Sequence, residues 1–361
     1  MTYFANPEAV IRIGPDHHWG LISTLIILAI LLIDSPRAHA GGCQPRGAIE
    51  RSEYLAADGA NLYLLTRGPD CNAPVILWLH GGPGGAERPL FRLYNSDLED
   101  HFIVAYWDQR GAGRSFSPAA DPQRLTVDQH LQDLDLVVDH LRTMLRKDNI
   151  ILIGHSWGSA LGLLYAKDHP EKIRMFIGVN QFVAGLDTQQ VQFAFALKEA
   201  KAREDASALR TLDQIGRPPV DAEHVLKLQG LVDRYGGYFH NRPSFTAALL
   251  KGIGYGYVTP WEIPSFIEAN NVSLAAMHHE ILSLDLRRRV PSVDVPVVFM
   301  LGRYDRQLEA QLAEKYFTSL TAPAKFLIWF ENSAHNVPFE EPDKFVSHVR
   351  EAINGHHPEK E

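Results

Sequence analysis

The chain has 361 residues, of which 45% are hydrophobic and 22% are charged, and this composition is typical of a folded protein with a large core. The formal net charge of -8 argues against a nucleic-acid-binding protein, because such proteins normally carry a basic patch. The length fits one large domain with an insertion, or two domains. We therefore predict a globular protein without a nucleic-acid partner.

The N-terminal segment has the pattern of a secretory signal. An apolar run at residues 19–33 is followed by the small-residue motif Ala38-His39-Ala40. The run is short for a membrane-spanning helix, but the leader before it is long and is not basic overall, so an uncleaved membrane anchor stays open. We assign residues 1–40 to a signal peptide or membrane anchor and expect the rest of the chain outside the cytoplasm, either exported or anchored.

The chain has two cysteines, Cys43 and Cys71, and both follow the predicted cleavage site. Between them lies a hairpin pattern, with strands expected at 49–57 and 61–67 around the turn Asp58-Gly59. An exported protein with two cysteines is expected to form one disulfide. The alternative is two unrelated thiols.

Short apolar runs alternate with helical patterns through most of the chain. The helical spacing of leucines and valines predicts a helix at 128–145. Buried strands are expected at 75–79, 102–107, 150–153, 173–179, 295–301 and 325–330, and a closing helix at 340–354. This alternation predicts an α/β fold with a mostly parallel sheet and helices on both faces.

The alternation stops between residues 181 and 290, where the sequence is rich in helical patterns, aromatic residues and glycine. An insertion after a central strand lies above the carboxyl edge of the sheet, where ligands bind. We therefore predict a core at 41–180 and 291–361 and a helical cap at 181–290 that forms a substrate pocket. A decorative insertion away from the site is the alternative.

The motif Gly154-His155-Ser156-Trp157-Gly158 joins an apolar strand to a helical stretch. A serine at the apex of such a tight turn presents its hydroxyl toward a substrate. The glycines two residues to either side allow the backbone segments of the strand and the helix to pack closely. Because a serine hydroxyl needs an adjacent base to act as a nucleophile, this motif predicts catalysis by Ser156 only together with a histidine and an acid.

The required acid and base are found much further along the chain. Asp305 follows one predicted strand and His335 follows the last one, so the chain order is serine, acid, histidine. We predict Ser156, Asp305 and His335 as catalytic residues. The backbone N–H groups of Gly82 and Trp157 are predicted to form an oxyanion hole for the tetrahedral intermediate.

The motifs HGGPG at 80–84, WDQRGAGRS at 107–115, GHSWGS at 154–159, GRYD at 302–305 and SAH at 333–335 are similar to those of proline iminopeptidases. The resemblance extends from residue 50 to about 354, except for most of the cap. It implies an α/β-hydrolase fold with an inserted helical cap, and a serine hydrolase that releases N-terminal residues from small peptides through an acyl-enzyme. Together with the N-terminal signal pattern, this predicts an exported enzyme. The resemblance also implies that Asp108 and Arg110 brace the oxyanion loop.

The substrate of such an enzyme is less well defined by the sequence. An aminopeptidase must hold a cationic amine, for which a carboxylate is needed. We name Glu262 and Glu268 as predicted substrate-binding residues, with Glu199 and Glu280 as further cap carboxylates, but Arg306 beside Asp305 departs from the family pattern. A carboxylesterase or amidase acting on a small carbonyl substrate is therefore the alternative.

No cofactor and no metal are predicted. The paired histidines of the chain have neither zinc-site spacing nor cysteine partners, and Gly111-Ala112-Gly113 lacks the third glycine of a dinucleotide fingerprint. The expected partner is a small peptide or a small ester or amide, with a membrane involved only if the N-terminal segment stays uncleaved.

Overall fold

Eight strands form one sheet in the computed structural model, which describes residues 47–240 and 245–355. The sheet order is β1-β2-β4-β3-β5-β6-β7-β8, in which β1, β2 and β4 pair antiparallel and all other neighbours pair parallel. The strands are β1 (Ile49–Ala57), β2 (Ala60–Gly68), β3 (Val75–Leu79), β4 (Ile103–Trp107), β5 (Ile150–His155), β6 (Ile173–Val179), β7 (Val297–Gly302) and β8 (Lys325–Phe330). The predicted α/β architecture is confirmed.

Helices cover both faces of this sheet, so the central strands β3, β4 and β7 are apolar and buried along their whole length. On one face Leu77 and Leu152 belong to one buried cluster, and on the other Trp78 and Ile153 belong to a second. The core helices are α1 (Arg88–Asn95), α2 (Val127–Leu145), α3 (Trp157–Asp168), α9 (Leu286–Arg289), α10 (Ala310–Ser319), α11 (Val337–Glu340) and α12 (Pro342–Ile353), with short 3-10 turns at Ser96–Asp100, Gly113–Ser115, Pro122–Arg124 and Pro170–Lys172.

Among the described residues, six helices lie between β6 and β7 and within the segment predicted to be a cap, the last of them being the short α9. The first five are called the inserted helices below: α4 (Gly185–Ala202), α5 (Ala206–Ile215), α6 (Ala222–Arg234), α7 (Phe245–Gly254) and α8 (Glu262–Ser283). Helices α4, α5 and α6 share a buried apolar cluster of their own that includes Ala196, Leu212 and Leu228. The domain limits at 181 and 290 stay a prediction.

The turn between β5 and α3 places Ser156 at the carboxyl edge of the sheet. Ser156 has a φ of 54° and a ψ of -120°, a conformation that side chains rarely adopt. A Cβ atom on Gly154 would lie 2.3 Å from the carbonyl oxygen of Gly158, and one on Gly158 would lie 2.1 Å from the carbonyl oxygen of Leu79. Position 154 therefore requires glycine because the end of β5 is packed against the start of α3, and position 158 requires it because the start of α3 is packed against the end of β3.

The predicted signal or anchor at 1–40 and Cys43 lie outside the described residues. Cys71 is in a disulfide. In the part of the chain that the structure describes, no helix combines the length and apolarity needed to cross a bilayer.

We predict that Gly158→Ala lowers the free energy of unfolding by more than about 3 kcal/mol or prevents folding, because the added methyl group overlaps a fixed backbone carbonyl. Gly230→Ala is the matched control, since Gly230 also lies within a helix but has open space around its Cβ position. This control should be neutral or stabilising by up to about 1 kcal/mol. Urea unfolding measures the free energy of unfolding of the two variants, and equal values would contradict the steric argument.

We also predict a bond between Cys43 and Cys71, which closes a loop of about 28 residues. The chain-entropy model then predicts that Cys71→Ser lowers the free energy of unfolding by about 3–4 kcal/mol. Unfolding of the oxidised protein with and without a reductant should reproduce that difference. Intact mass after alkylation tests the bond directly, and two alkylated thiols in the native exported protein would rule it out.

Candidate active site

The three residues predicted as nucleophile, base and acid form one chain of hydrogen bonds. The hydroxyl of Ser156 lies 2.9 Å from Nε2 of His335, and Nδ1 of His335 lies 3.0 Å from Oδ2 of Asp305. Asp305 and His335 are buried, with 1% and 2% of their surface exposed. The structure therefore brings together all three residues in the order that proton transfer from serine to histidine requires.

Asp305 is held as an acceptor by several donors. Its Oδ1 accepts the backbone N–H groups of Gln307 at 2.8 Å and Leu308 at 3.0 Å, and its Oδ2 also accepts Nδ2 of Asn180 at 2.8 Å. Burial alone would raise the pKa of this carboxyl, but His335 and these donors outweigh it and the pKa is lowered. The side chain thus stays ionised and can orient an imidazole.

Asn180 was not singled out in the sequence. It has a φ of 45°, and its Nδ2 also donates to the carbonyl oxygen of Ala334 at 3.1 Å, so it joins the acid to the loop that carries His335. The signal that could have found it is its place directly after β6, at the carboxyl edge of the sheet.

The loop of His335 is anchored from both sides. Oε1 of Glu340 accepts the N–H of Ala334 at 2.9 Å. The N–H of His335 donates to the carbonyl oxygen of Tyr238 at 3.1 Å, and the two rings lie 5.4 Å apart. Since Tyr238 follows α6, the inserted helices contribute directly to the position of the histidine.

His155, the residue before the serine, forms a buried ion pair with Glu87. Its Nδ1 lies 2.7 Å from Oε1 of Glu87, and its Nε2 donates to the carbonyl oxygen of His335 at 2.8 Å. Burial lowers the pKa of His155, but the opposing effects of Glu87 and its other partners are larger in sum, so the pKa is raised. This pair links the loop before α1 to the loop of His335, and no role was predicted for either residue.

The two predicted oxyanion donors flank Ser156. Trp157 is the first residue of α3, so its N–H has no acceptor within the helix. Gly82 has a φ of 116°, and a Cβ there would lie 2.5 Å from the nitrogen of Gly85. Gly82, Ser156 and Trp157 line one cavity, which is the arrangement that an oxyanion hole needs.

Gln109 braces this region. Its side chain donates to the carbonyl oxygen of His80 at 2.9 Å and accepts from Nε1 of Trp157 at 3.1 Å, while its backbone N–H donates to Nε2 of His80 at 3.0 Å. It therefore ties the loop of Gly82 to the turn of Ser156.

Asp108 and Arg110, for which the bracing role was predicted, act on neighbouring segments instead. Asp108 pairs with Arg88 at 3.3 Å, whereas Arg110 forms two hydrogen bonds with Asp133 at 2.7 and 2.8 Å. The direct side-chain contact with the loop that carries His80 and Gly82 belongs to Gln109, which lies between them.

The cap glutamates predicted to bind substrate are not brought to Ser156. Glu262 accepts from Nε of Arg114 at 2.6 Å and from Thr259 at 2.7 Å; burial would raise its pKa, but these partners lower it to about 2. Glu268 is exposed, and neither glutamate lines the cavity beside Ser156. Their positions therefore give no support to an amine-binding role.

The other charged groups named with them are also engaged elsewhere. Glu199 pairs with Arg203, and Glu280 accepts the N–H of Val127 at 2.7 Å. Arg306, beside Asp305, forms an ion pair with Glu309. The positive charge of Arg306 is thus balanced and does not by itself disfavour a cationic substrate.

Two cavities meet at Ser156. The larger one, of about 580 Å³, is lined by His335, Glu87 and apolar side chains that include Leu90 and Phe266. The smaller one, of about 80 Å³, lies between α4, α6 and α8. Both have walls from the inserted helices, so the space around Ser156 is formed jointly by the core and the insertion.

Comparison with known proteins assigns the chain to a family. The model of the alpha/beta hydrolase fold family matches residues 74–342. The chain is 31% identical over 299 residues to a probable aminopeptidase, YbaC, of Bacillus subtilis, covering 81% of this chain and 93% of the relative. It is 25% identical to a proline iminopeptidase of Saccharolobus solfataricus, covering 83% of this chain and 91% of the relative.

The fold agrees with this assignment. The crystal structure of a proline iminopeptidase of Mycobacterium smegmatis superposes with a TM-score of 0.62 at 17% identity, covering 85% of this chain and 98% of that structure. The resemblance to proline iminopeptidases is therefore confirmed, and the chain belongs to the α/β-hydrolase family.

Proposed function

We propose that the protein is a serine hydrolase of the proline iminopeptidase type, which releases an N-terminal residue from small peptides. The observation that carries this proposal is the hydrogen bond of 2.9 Å between the hydroxyl of Ser156 and Nε2 of His335, on a serine held at the apex of a tight turn. Asp305 holds the other ring nitrogen of the histidine.

In the first half of the reaction, Oγ of Ser156 forms a bond to the substrate carbonyl carbon and its proton passes to Nε2 of His335. The carbonyl oxygen becomes an oxyanion that accepts the N–H groups of Gly82 and Trp157. When the C–N bond breaks, His335 gives its proton to the leaving amine, and an acyl-enzyme ester remains on Ser156.

In the second half, a water molecule takes the place of the leaving amine. His335 accepts one proton of the water as its oxygen bonds to the acyl carbon, and then returns that proton to Oγ of Ser156 as the ester bond breaks. The products are a free acid and the regenerated serine. Each oxyanion donor contributes about 3–4 kcal/mol to such a reaction.

The peptidase assignment rests on the relatives, whose names are aminopeptidase and proline iminopeptidase. An esterase or amidase acting on a small carbonyl substrate is the second candidate. It is favoured by the engagement of Glu199, Glu262 and Glu280 with other partners and by the largely apolar walls of the larger cavity. Prolyl arylamides compared with short acyl esters separate the two candidates.

We further propose that the protein is exported. The apolar run at 19–33 with the motif Ala38-His39-Ala40 supports this, as does the disulfide at Cys71.

Ser156→Ala is predicted to abolish hydrolysis and covalent labelling by a fluorophosphonate probe, because both need the serine oxygen. Ser283→Ala, an exposed serine at the end of α8, is the control and should label like the unchanged protein. Both variants should melt normally. A Ser156→Ala protein that keeps its activity would overturn the assignment.

The mature protein is predicted to begin at Gly41. Expression of the full chain in a bacterium, followed by fractionation and N-terminal mass spectrometry, measures this. Replacement of Ala38 and Ala40 by leucine should block processing because the cleavage site needs small residues. A cytoplasmic protein that keeps residues 1–40 would contradict export.

A further inference from the structure

The smaller cavity beside Ser156 has polar walls that the proposed mechanism does not use. Four of its lining side chains are at least nine-tenths buried, namely Thr188, Gln189, Gln192 and Gln307. Oγ1 of Thr188 and the Oε1 atoms of Gln192 and Gln307 are buried and have no hydrogen-bond partner. A buried polar atom without a hydrogen-bond partner lowers the stability of the folded protein. Three such atoms around one small space therefore indicate a binding site.

The orientation of one of these groups is fixed by its own contact. Nε2 of Gln192 donates to the backbone carbonyl of Gln307 at 2.6 Å, so Oε1 of Gln192 is the atom left without a partner. The oxygen of Gln189, by contrast, accepts the N–H of Val220 at 3.0 Å. The unpaired groups are thus two amide oxygens and one hydroxyl, and all three can accept hydrogen bonds.

The position of His335 tells which part of a substrate enters which cavity. The leaving group must receive its proton from Nε2 of His335, and His335 lines the larger cavity. Among the described residues, the smaller cavity is lined by Ser156 and by both proposed oxyanion donors, Gly82 and Trp157, but not by His335. The acyl group therefore occupies the smaller cavity and the leaving group the larger one.

We propose that the smaller cavity is the acyl subsite and that it selects a small acyl group with a hydrogen-bond donor on its α-carbon, an amino or a hydroxyl group. The inference rests on the proposed hydrolysis at Ser156. A space of about 80 Å³ holds roughly six atoms of the size of a water molecule, since each needs about 10–15 Å³ by this measure, and this room matches the acyl group of a single small residue. Removal of one N-terminal residue is the outcome that this size imposes.

The subsite recognises its ligand by hydrogen bonds rather than by an ion pair. In the described part of the chain, no aspartate or glutamate lines the smaller cavity. An α-hydroxyl can satisfy the unpaired oxygens as an α-amine does, whereas a methyl group leaves them unpaired. A site built for a donor rejects an isostere without one.

The test is a series of three p-nitroanilides of nearly equal size, carrying the L-alanyl, L-lactoyl and isobutyryl groups. These differ only in the amino, hydroxyl or methyl group on the α-carbon. We expect kcat/KM to be about 10–100-fold higher for the first two than for isobutyryl. Equal rates for all three would overturn the acyl-subsite assignment.

Thr188→Val tests the wall of the subsite, since it keeps the shape and removes the hydroxyl. It should reduce the preference for alanyl and lactoyl over isobutyryl by about 5–10-fold. Thr66→Val is the matched control, because Oγ1 of Thr66 is also buried without a partner but lies in β2 and lines neither cavity. The control should leave the preference unchanged. Gln192→Met is a second wall variant and should act in the same direction.

The outcomes separate this inference from the proposed function. If the fluorophosphonate probe fails to label Ser156 and no ester is hydrolysed, the proposed function falls and the inference with it. If Ser156 is labelled and anilides turn over, but Thr188→Val lowers the rates of all three anilides equally, the inference alone is overturned. If esters turn over but no anilide is hydrolysed, both the peptidase assignment and the inference are overturned.

Discussion

The steric constraint at the turn of Ser156 determines how the rest of the site is built. The turn lies so close to β3 that a Cβ on Gly158 would touch the carbonyl of Leu79 at 2.1 Å. This closeness brings the start of α3 beside the loop that follows β3, and so places Trp157 and Gly82 on the same side of the serine. The two residues proposed as oxyanion donors are therefore positioned by the packing of two neighbouring strands.

Hydrogen bonds between distant segments then fix the remaining groups. Gln109, after β4, joins the loop of His80 to Trp157, and Asn180, after β6, joins Asp305 to the loop of His335. Each of these side chains leaves the carboxyl end of a parallel strand, so their convergence follows from the sheet order. Such preorganised donors and acceptors need no rearrangement when charge develops in the reaction.

Much of this arrangement was predictable from the sequence, because it depends on patterns of neighbouring residues. Strands, helices and the serine turn leave patterns within ten to twenty residues, and the predicted strand at 173–179 and helix at 128–145 agree with the structure to within one residue. The partners Glu87 and Gln109 were missed because each contacts a segment more than twenty residues away, and a single sequence carries no record of such pairs. Glu262 was misjudged for a similar reason, since Arg114 lies 148 residues before it.

The backbone contact between Tyr238 and His335 changes how the inserted helices are understood. If the inserted helices only covered the cavities, they could be replaced without any effect on the position of His335. However, the N–H of the histidine finds its acceptor in the carbonyl of Tyr238, and Nδ2 of Asn336 uses the same oxygen at 2.8 Å. Grafting a different insertion onto this core would have to reproduce that one carbonyl, whatever side chain it carried. The side chains of the inserted helices line the cavities, whereas one backbone carbonyl between these helices sets the position of the loop that carries His335.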